Sequence, residues 1–370
     1  MRFVAAADSH FKNSEPLGHL NPKTGLNLRT EEKLRHLDKA ISYAVEQKVD
    51  FFIYLGDLFD SAHPQSKLRV LVAQVFSKYV SKIPIIYVPG NHDDCQVGAF
   101  ESEGILARSG ADRIKDLSCG FHYIGEPTHI VLNGISTLFL PWKHTSKLPD
   151  YLTKNIRLVF GHFFVEGADI GKGSCRQLDN VGYSTDGLSD FAYFVLGDIH
   201  KGQVIPLPKS KGAEGFVVYP GSLSRINIDD GDIEPGFLDI VCPEEGDLSA
   251  TRVTVDDWEI SRLSLDEGTI PDPTDIQAHL ESHLSGLSPK IVELTFVGHT
   301  TWLDQIAYTA LKKYLIDLGA VKVIRKRKSV DTDEVTAKVY RGSLEDRWVG
   351  FATDKGLPID SINLVSNYLR

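Results

Sequence analysis

Short apolar runs rich in Val, Ile, Phe and Tyr recur along the first half of the chain, and each stops at a small cluster of Asp, Asn or His. Arg2–Ala7, Asp50–Leu55, Ile83–Val88, Ile156–Phe160 and Phe191–Leu196 have the length and composition of β-strands. Between the first three, apolar residues return with the period of a helix. Leu34, Leu37, Ile41 and Val45 do so within Thr30–Glu46, where Thr30 is the N-cap candidate; Leu68, Leu71, Val72 and Val75 do so within Gln65–Val80. Strand–helix–strand alternation implies parallel strands. A further helix is expected over Gly98–Ser109.

From Gly120 the pattern turns β-rich. Phe121–Ile124, His129–Leu132 and Ile135–Leu140 read as short strands, with Asn133-Gly134 as the hairpin turn between the last two. Gly215–Tyr219, Gly236–Val241 and Ala250–Val255 are later strands. The connection Val165–Asp190 is long, polar and rich in Gly and Ser, and such loops in compact domains are often functional. The expected fold is α/β, two sheets packed face to face and flanked by helices. A composition shift at Asp266–Asp275 marks a linker. Beyond it the pattern predicts a helix over Pro273–Leu284, a strand over Lys290–Phe296 and one long helix over Thr301–Leu318 with Gly319 as its C-cap. Strands over Ala320–Ile324 and Val335–Tyr340 and a terminal helical pattern over Asp360–Leu369 complete the chain. This divides it into a large domain over 1–265, a small α+β capping module over 266–345 and a tail over 346–370.

Composition narrows the function. With 370 residues and 42% hydrophobic content, the chain can bury a sizeable core. Its formal net charge of −10 argues against a protein that coats nucleic acid through bulk charge. It does not exclude nucleic acid, because bound divalent ions concentrate positive charge at one spot. Cys95, Cys119, Cys175 and Cys242 form no CxxC pair, which favours a reducing interior over a disulfide framework or a structural zinc site. Met1-Arg2 leads directly into the first strand without a secretory pattern. No apolar run approaches the ~20 residues of a membrane span. The expectation is a soluble intracellular protein with no membrane partner.

The polar clusters at the strand ends carry the chemistry. They read Asp8-Ser9-His10, Gly56-Asp57, Gly90-Asn91-His92-Asp93, Gly161-His162 and Gly197-Asp198-Ile199-His200. A single Gly-Asp or Gly-His is ordinarily just a loop; five such ends in one chain point to one site at the carboxyl edge of a sheet, where open α/β folds bind ligands. Mixed oxygen and imidazole donors suit divalent first-row metals, and there are enough for two ions, an arrangement that serves phosphoester cleavage. Asp57 is the natural bridge, since a carboxylate can bind both ions. Asp8 and His10 flank a single residue and can reach one metal; Asn91 offers its amide oxygen; His162, Asp198 and His200 can close the shells. His92 is the candidate proton donor to the leaving oxygen, and Asp60 the candidate partner that orients its ring.

The ordered set resembles the calcineurin-like metallophosphoesterase superfamily, with its pattern D-x-H, G-D-x-x-D, G-N-H-[DE], G-H and G-H-x-H. More narrowly it resembles SbcD-type DNA repair nucleases, on Gly56-Asp57-Leu58-Phe59-Asp60 with Pro64 after it, the paired Gly161-His162 and Gly197–His200 motifs, and Tyr219-Pro220-Gly221-Ser222-Leu223-Ser224-Arg225. The resemblance covers about Met1–Val241, and the C-terminal module occupies the place of a capping domain. It implies one metal on Asp8, His10, Asp57 and His200, a second on Asp57, Asn91, His162 and Asp198, and a catalytic His92 partnered by Asp60. It further implies manganese as the usual ion, with magnesium as the alternative. The implied activity is exonuclease on double-stranded ends and endonuclease on single strands or hairpins, performed by a nuclease dimer with an SbcC-like SMC-type ATPase. The family pattern has His where this chain has Asp198, a harder ligand that favours manganese or magnesium over softer metals.

DNA contacts are expected from cations near the motifs. Lys12, Lys23 and Arg29 lie in the long loop after His10, Lys143 and Lys147 follow the hairpin, and Lys201 adjoins His200. The run Lys322–Lys328 either faces DNA from the capping module or is a solvated edge strand whose lysines discourage aggregation. Two other functions fit the same scaffold: a phosphatase acting on a protein or small molecule, and a non-catalytic metal-bound scaffold for an ATPase. Asp60 is followed by Ser61-Ala62 rather than the Arg-Gly usual in protein phosphatases of the superfamily, and every ligand position holds a competent residue type, so the nuclease is favoured.

Overall fold

The computed structural model describes residues 1–12, 14–93, 116–151, 156–170, 182–188, 193–208, 215–283 and 290–330, with 348, 349 and 352. The expected helix over 98–109, strand over 335–340 and terminal helix over 360–369, and nearly all of the tail, lie outside the described residues.

Two six-stranded sheets form the body. The strands are β1 (Arg2–Ala6), β2 (Phe51–Leu55), β3 (Pro84–Val88), β4 (Gly120–Tyr123), β5 (Thr128–Leu132), β6 (Ile135–Leu140), β7 (Leu158–His162), β8 (Tyr193–Gly197), β9 (Gln203–Pro206), β10 (Phe216–Tyr219), β11 (Gly236–Val241) and β12 (Ser249–Thr254). One sheet runs β12-β11-β1-β2-β3-β4 and the other β5-β6-β7-β8-β10-β9. The pairs β1–β2, β2–β3, β3–β4, β6–β7, β7–β8 and β8–β10 are parallel. Helices α1 (Leu28–Glu46) and α2 (Ser66–Ser77) supply the β1–β2 and β2–β3 crossovers.

The alternation of side chains along each strand divides the core. Phe3, Ala5 and Ala7 face the second sheet, where Phe3 meets Phe160 edge to face at 5.2 Å between centroids. Val4 and Ala6 face the helices and pack with Leu37, Ile41, Val72 and Phe76. Strands buried on both faces read as continuous apolar runs, which explains why the five strands at the motifs stood out. Helix α1 begins two residues earlier than expected. Asn27, not Thr30, is the cap: its side-chain oxygen accepts from Arg29 N–H at 2.8 Å.

A third sheet, β13-β14-β15, consists of Glu259–Asp266, Lys290–Gly298 and Ala320–Ser329, all parallel. Strand β13 was not expected, and a boundary after 265 separates it from the β14 partner it pairs with along its whole length. We therefore propose a division ahead of Glu259. The long helix expected over Thr301–Leu318 is two helices, α4 (Thr300–Gln305) and α5 (Tyr308–Asp317), following α3 (Ile276–His283). Ile306 is extended between them (φ −68, ψ 119). The break lets Trp302 and Leu303 on one side, and Leu311 and Leu315 on the other, reach the same core. Strand β15 runs five residues beyond the expected Ile324 and carries the basic run along a sheet edge.

Arg29 joins the body to the approach to β13. It is fully buried, its guanidinium grips both oxygens of Asp257 and lies 5.1 Å over Trp258, and Asp257 also accepts Arg225 N–H at 2.8 Å. Among the described residues no helix is long and apolar enough to cross a membrane.

Burial raises the Asp257 carboxyl, but Arg29 outweighs it and holds the pKa down to about 2. Asp257→Ala leaves Arg29 buried without its counter-charge and is expected to cost about 3–5 kcal/mol in urea unfolding. Because the folded-state pKa is depressed, the carboxylate's contribution is present above its unfolded value near ~3.9 and is lost as pH falls towards the folded one. The stability gap between wild type and variant should therefore narrow from about pH 4 downwards.

Candidate metal centre at the strand ends

The motifs leave their strands through left-handed backbone. Asp8 (φ 53), His10 (φ 43), Asp57 (φ 53) and Asp198 (φ 97) all have positive φ, a region that Asp, Asn and His enter more readily than most side chains. The turns are stitched together through the main chain. Asp8 N–H donates to Gly56 O at 3.1 Å and His10 N–H to Asp57 O at 2.9 Å. Asp198 N–H lies 3.3 Å from each oxygen of the Asp8 carboxylate. The ends of β1, β2 and β8 are thereby fixed to one another before any ligand is considered.

Asp57 lies at the centre. Its Oδ2 is 3.4 Å from His10 Nε2, 3.5 Å from His162 Nε2 and 3.8 Å from His92 Nε2. On one side His10 and His200 bring their Nε2 atoms to 3.3 Å, and Asp8 joins them in a group whose donor atoms lie within 4.8 Å of one another. Asp8, Asp57 and His162 form a second such group. On that side Asn91 Oδ1 is 3.1 Å, and Asp198 Oδ1 4.0 Å, from His162 Nε2. His162 Nδ1 donates to Leu55 O at 2.8 Å, which turns Nε2 toward the site, the usual device for orienting a ligating imidazole.

The residues fit divalent ions on their own chemistry. Burial first, and then the charges of Asp57 and Asp198, push the Asp8 carboxyl well above the ordinary range, against the pull of His162. Burial and the neighbouring His10 ring pull His200 down to about 3. Asp57 is held below the carboxylate range because His162, His10 and His92 outweigh its burial. His162 is pushed up because Asp57, Asp8 and Asp198 outweigh its own. Facing imidazole nitrogens beside crowded, buried carboxylates are a donor set that a cation would reconcile.

The expected site residues divide into three groups. Asp8, His10, Asp57, Asn91, His162, Asp198 and His200 converge as described. His92 sits above them, its side chain 40% exposed and its N–H donating to Asp57 Oδ1 at 3.0 Å. Asp60 meets His92 otherwise than expected. Its main-chain carbonyl, not its carboxylate, accepts His92 Nδ1–H at 3.0 Å, while the carboxylate lies 3.2 Å from His10 Nδ1 and 3.2 Å from Lys12 Nζ. Of the proposed DNA contacts only Lys12 is bound into the centre. Lys143 pairs with Glu126 at 3.4 Å and Lys201 with Asp169 at 2.5 Å; Lys23 and Lys147 are exposed, and Arg29 is in the core rather than in a loop.

Three supports were not anticipated. Buried Asp93 accepts from Leu58 N–H, Phe59 N–H and Gly90 N–H at 3.2–3.3 Å, tying the second and third motifs together. Buried Lys33 donates to His10 O and to Glu15, both at 2.8 Å. The Tyr219–Arg225 stretch braces the last two motifs and α1. Tyr219 O–H donates to Phe163 O at 3.0 Å, Ser222 N–H donates to His200 O at 2.9 Å, and Ser224 meets His36 at 2.7 Å. The fixed spacing of Asp93 from Asn91 was a usable signal; the Lys33–Glu15 pair left none in the pattern.

Residues 1–186 match the calcineurin-like phosphoesterase family. The chain belongs to this family. It is also similar to two curated relatives, each named DNA double-strand break repair protein Mre11. That of Methanosarcina acetivorans is 23% identical over 351 residues, 92% of this chain and 52% of the relative. That of Methanosarcina mazei is 23% identical over 334 residues, 87% of this chain and 49% of the relative. The chain thus spans about half the length of these relatives. A dimetal phosphatase from Danio rerio aligns over 68% of this chain and 98% of its own, at 10% identity and a TM-score of 0.41.

In this phosphoesterase two substitutions probe the centre. Asp198→His exchanges a hard ligand for a softer one, and metal titration by calorimetry should show a gain for zinc relative to manganese; an identical metal profile would remove Asp198 from the second ion. Gly221 has φ 74, and a Cβ there would meet Gly202 N at 2.5 Å and His200 O at 2.7 Å. Gly221→Ala should displace the His200 turn, weakening divalent-metal binding and lowering the melting temperature.

Proposed function

We propose that this phosphoesterase is a metal-dependent DNA nuclease, with Asp8, His10, Asp57 and His200 holding one divalent ion and Asp57, Asn91, His162 and Asp198 the other. The observation that carries this reading is the central Asp57 carboxylate, reached by His10, His162 and His92 from three separate motifs. Two bound ions, manganese or magnesium, would lower the pKa of water and neutralise charge on the phosphoryl oxygens. The protein's own part is to place and to transfer protons. The His162 Nδ1 bond to Leu55 O fixes which nitrogen faces the centre. His92, held from behind by the Asp60 carbonyl, presents Nε2 toward Asp57 at 3.8 Å and would protonate the leaving oxygen.

DNA as substrate is supported by the motif resemblance and by similarity to relatives named for DNA double-strand break repair; an SbcC-like SMC-type ATPase as partner and a homodimer as the working form rest on the motif resemblance. Lys201 and Lys143 serve a DNA backbone only by leaving Asp169 and Glu126, which at exposed positions costs little.

The test is cleavage of end-labelled double-stranded DNA by the purified chain in manganese, in magnesium and in EDTA. Cleavage should require metal, and His92→Ala should reduce it about 10²–10⁴-fold with metal content unchanged. No DNA cleavage but rapid hydrolysis of a simple phosphomonoester would instead make the protein a phosphatase.

A further inference from the structure

Beside the metal centre a cavity of about 200 Å³ is lined by Phe11, Lys12, Ser14, Asp60, Ser61 and Pro64. Its wall is part of the machinery. Asp60 receives His92 on its carbonyl and approaches His10 with its carboxylate, so whatever fills the cavity sits one residue from both imidazoles. Its lining selects among ligands. A cation is disfavoured by the Lys12 ammonium. A stacked base is disfavoured because Phe11 is only 1% exposed and Pro64 is buried, leaving no aromatic face. What remains is one cation and two hydroxyl-bearing residues around a space large enough for several waters or one phosphate. The Asp60 charge is already met by the Lys12 ammonium at 3.2 Å, so it does not repel an anion as a bare carboxylate would.

We propose that this cavity is a subsite for the phosphate next to the scissile one, with Lys12 as its charged contact, so that the enzyme requires two consecutive charged linkages. The proposal rests on the nuclease reading and adds to it a recognition requirement: a second charged linkage beside the one that is cut. Lys12 already touches Asp60, so a phosphate entering the cavity shares an ammonium that is positioned in advance instead of recruiting a mobile surface lysine.

The experiment uses the thymidine trinucleotide TpTpT and its two isomers in which one linkage is a neutral methylphosphonate, each cleaved by the full chain in manganese. In the wild type, neutralising one of the two linkages should lower kcat/KM at the other at least tenfold. In Lys12→Gln the all-phosphate trinucleotide should lose a similar factor, and the methylphosphonate should add no further loss, because both changes delete one contact. Lys12→Arg should restore the sensitivity, which separates a charge contact from damage to the fold. If the methylphosphonate costs Lys12→Gln as much as it costs wild type, or costs wild type nothing, the subsite is wrong while the nuclease stands. If no trinucleotide is cut but a phosphomonoester is hydrolysed, both readings fall together.

Discussion

The carbonyl of Leu55 is the point on which the site depends. It belongs to the first sheet, yet it accepts His162 Nδ1–H from the second at 2.8 Å, and a Cβ on Gly197 at the end of β8 would lie 1.9 Å from it. No side chain fits there, so the residue before Asp198 is glycine for the close approach of one strand end to another. Where two sheets meet this tightly, their carboxyl ends fall on one spot, and Asp8, Asp57 and Asp198 are brought together although they come from strands in different layers. Left-handed backbone at non-glycine residues costs on the order of 1–3 kcal/mol each. Such turns persist because Phe3, Phe51, Phe139 and Phe160 lock the two sheets at a fixed spacing. Of the seven described non-glycine residues with positive φ, four belong to the motifs.

The body of the fold and the ligand motifs were readable because both leave strong local signals. Strands buried on both faces write uninterrupted apolar runs, and each run ends at its polar motif. The losses have equally local causes. Strand β13 alternates Glu259, Ser261, Arg262 and Ser264 with apolar residues and is only half covered, so it resembles the linker beside it. The stripe through Ile306 continues a helical period across a break, because residues on both sides of the break face one core and periodicity cannot detect the extended residue between them. Arg29 reads from the sequence as a loop cation because its partner, Asp257, lies far along the chain. The bond from His92 to Asp60 was anticipated between the right residues but through the wrong atom, since main-chain acceptors leave no mark in a sequence.

The segment between His10 and α1 links the centre to the third sheet. Its near end is bonded to the second motif through Phe11 N–H and Leu58 O, at 2.8 Å. Farther along, Leu17 packs with Trp258, Ile291 and Val321, and His19 donates to Val321 O at 2.9 Å. Lys33 closes the arrangement by holding His10 O and Glu15 together. The three-stranded sheet is therefore attached to the same chain segment that delivers His10 and Lys12.

That attachment changes how the basic run on β15 should be weighed. Lys326 is paired with Glu293 at 2.9 Å, Arg327 with Asp304 at 2.6 Å, and Arg325 lies 5.1 Å over Tyr308. Much of the charge that the letters suggest is already answered by neighbours, on a chain whose formal net charge is −10. A polyanion approaching this protein meets general repulsion and an edge strand whose cations must first be released. Productive attraction then has to come from charge concentrated at the strand ends, where bound ions and Lys12 act over distances shorter than the ~8 Å over which physiological salt screens. If the protein is the nuclease proposed above, recognition of a nucleic acid and occupancy of the metal centre would be coupled by electrostatics before any chemistry begins.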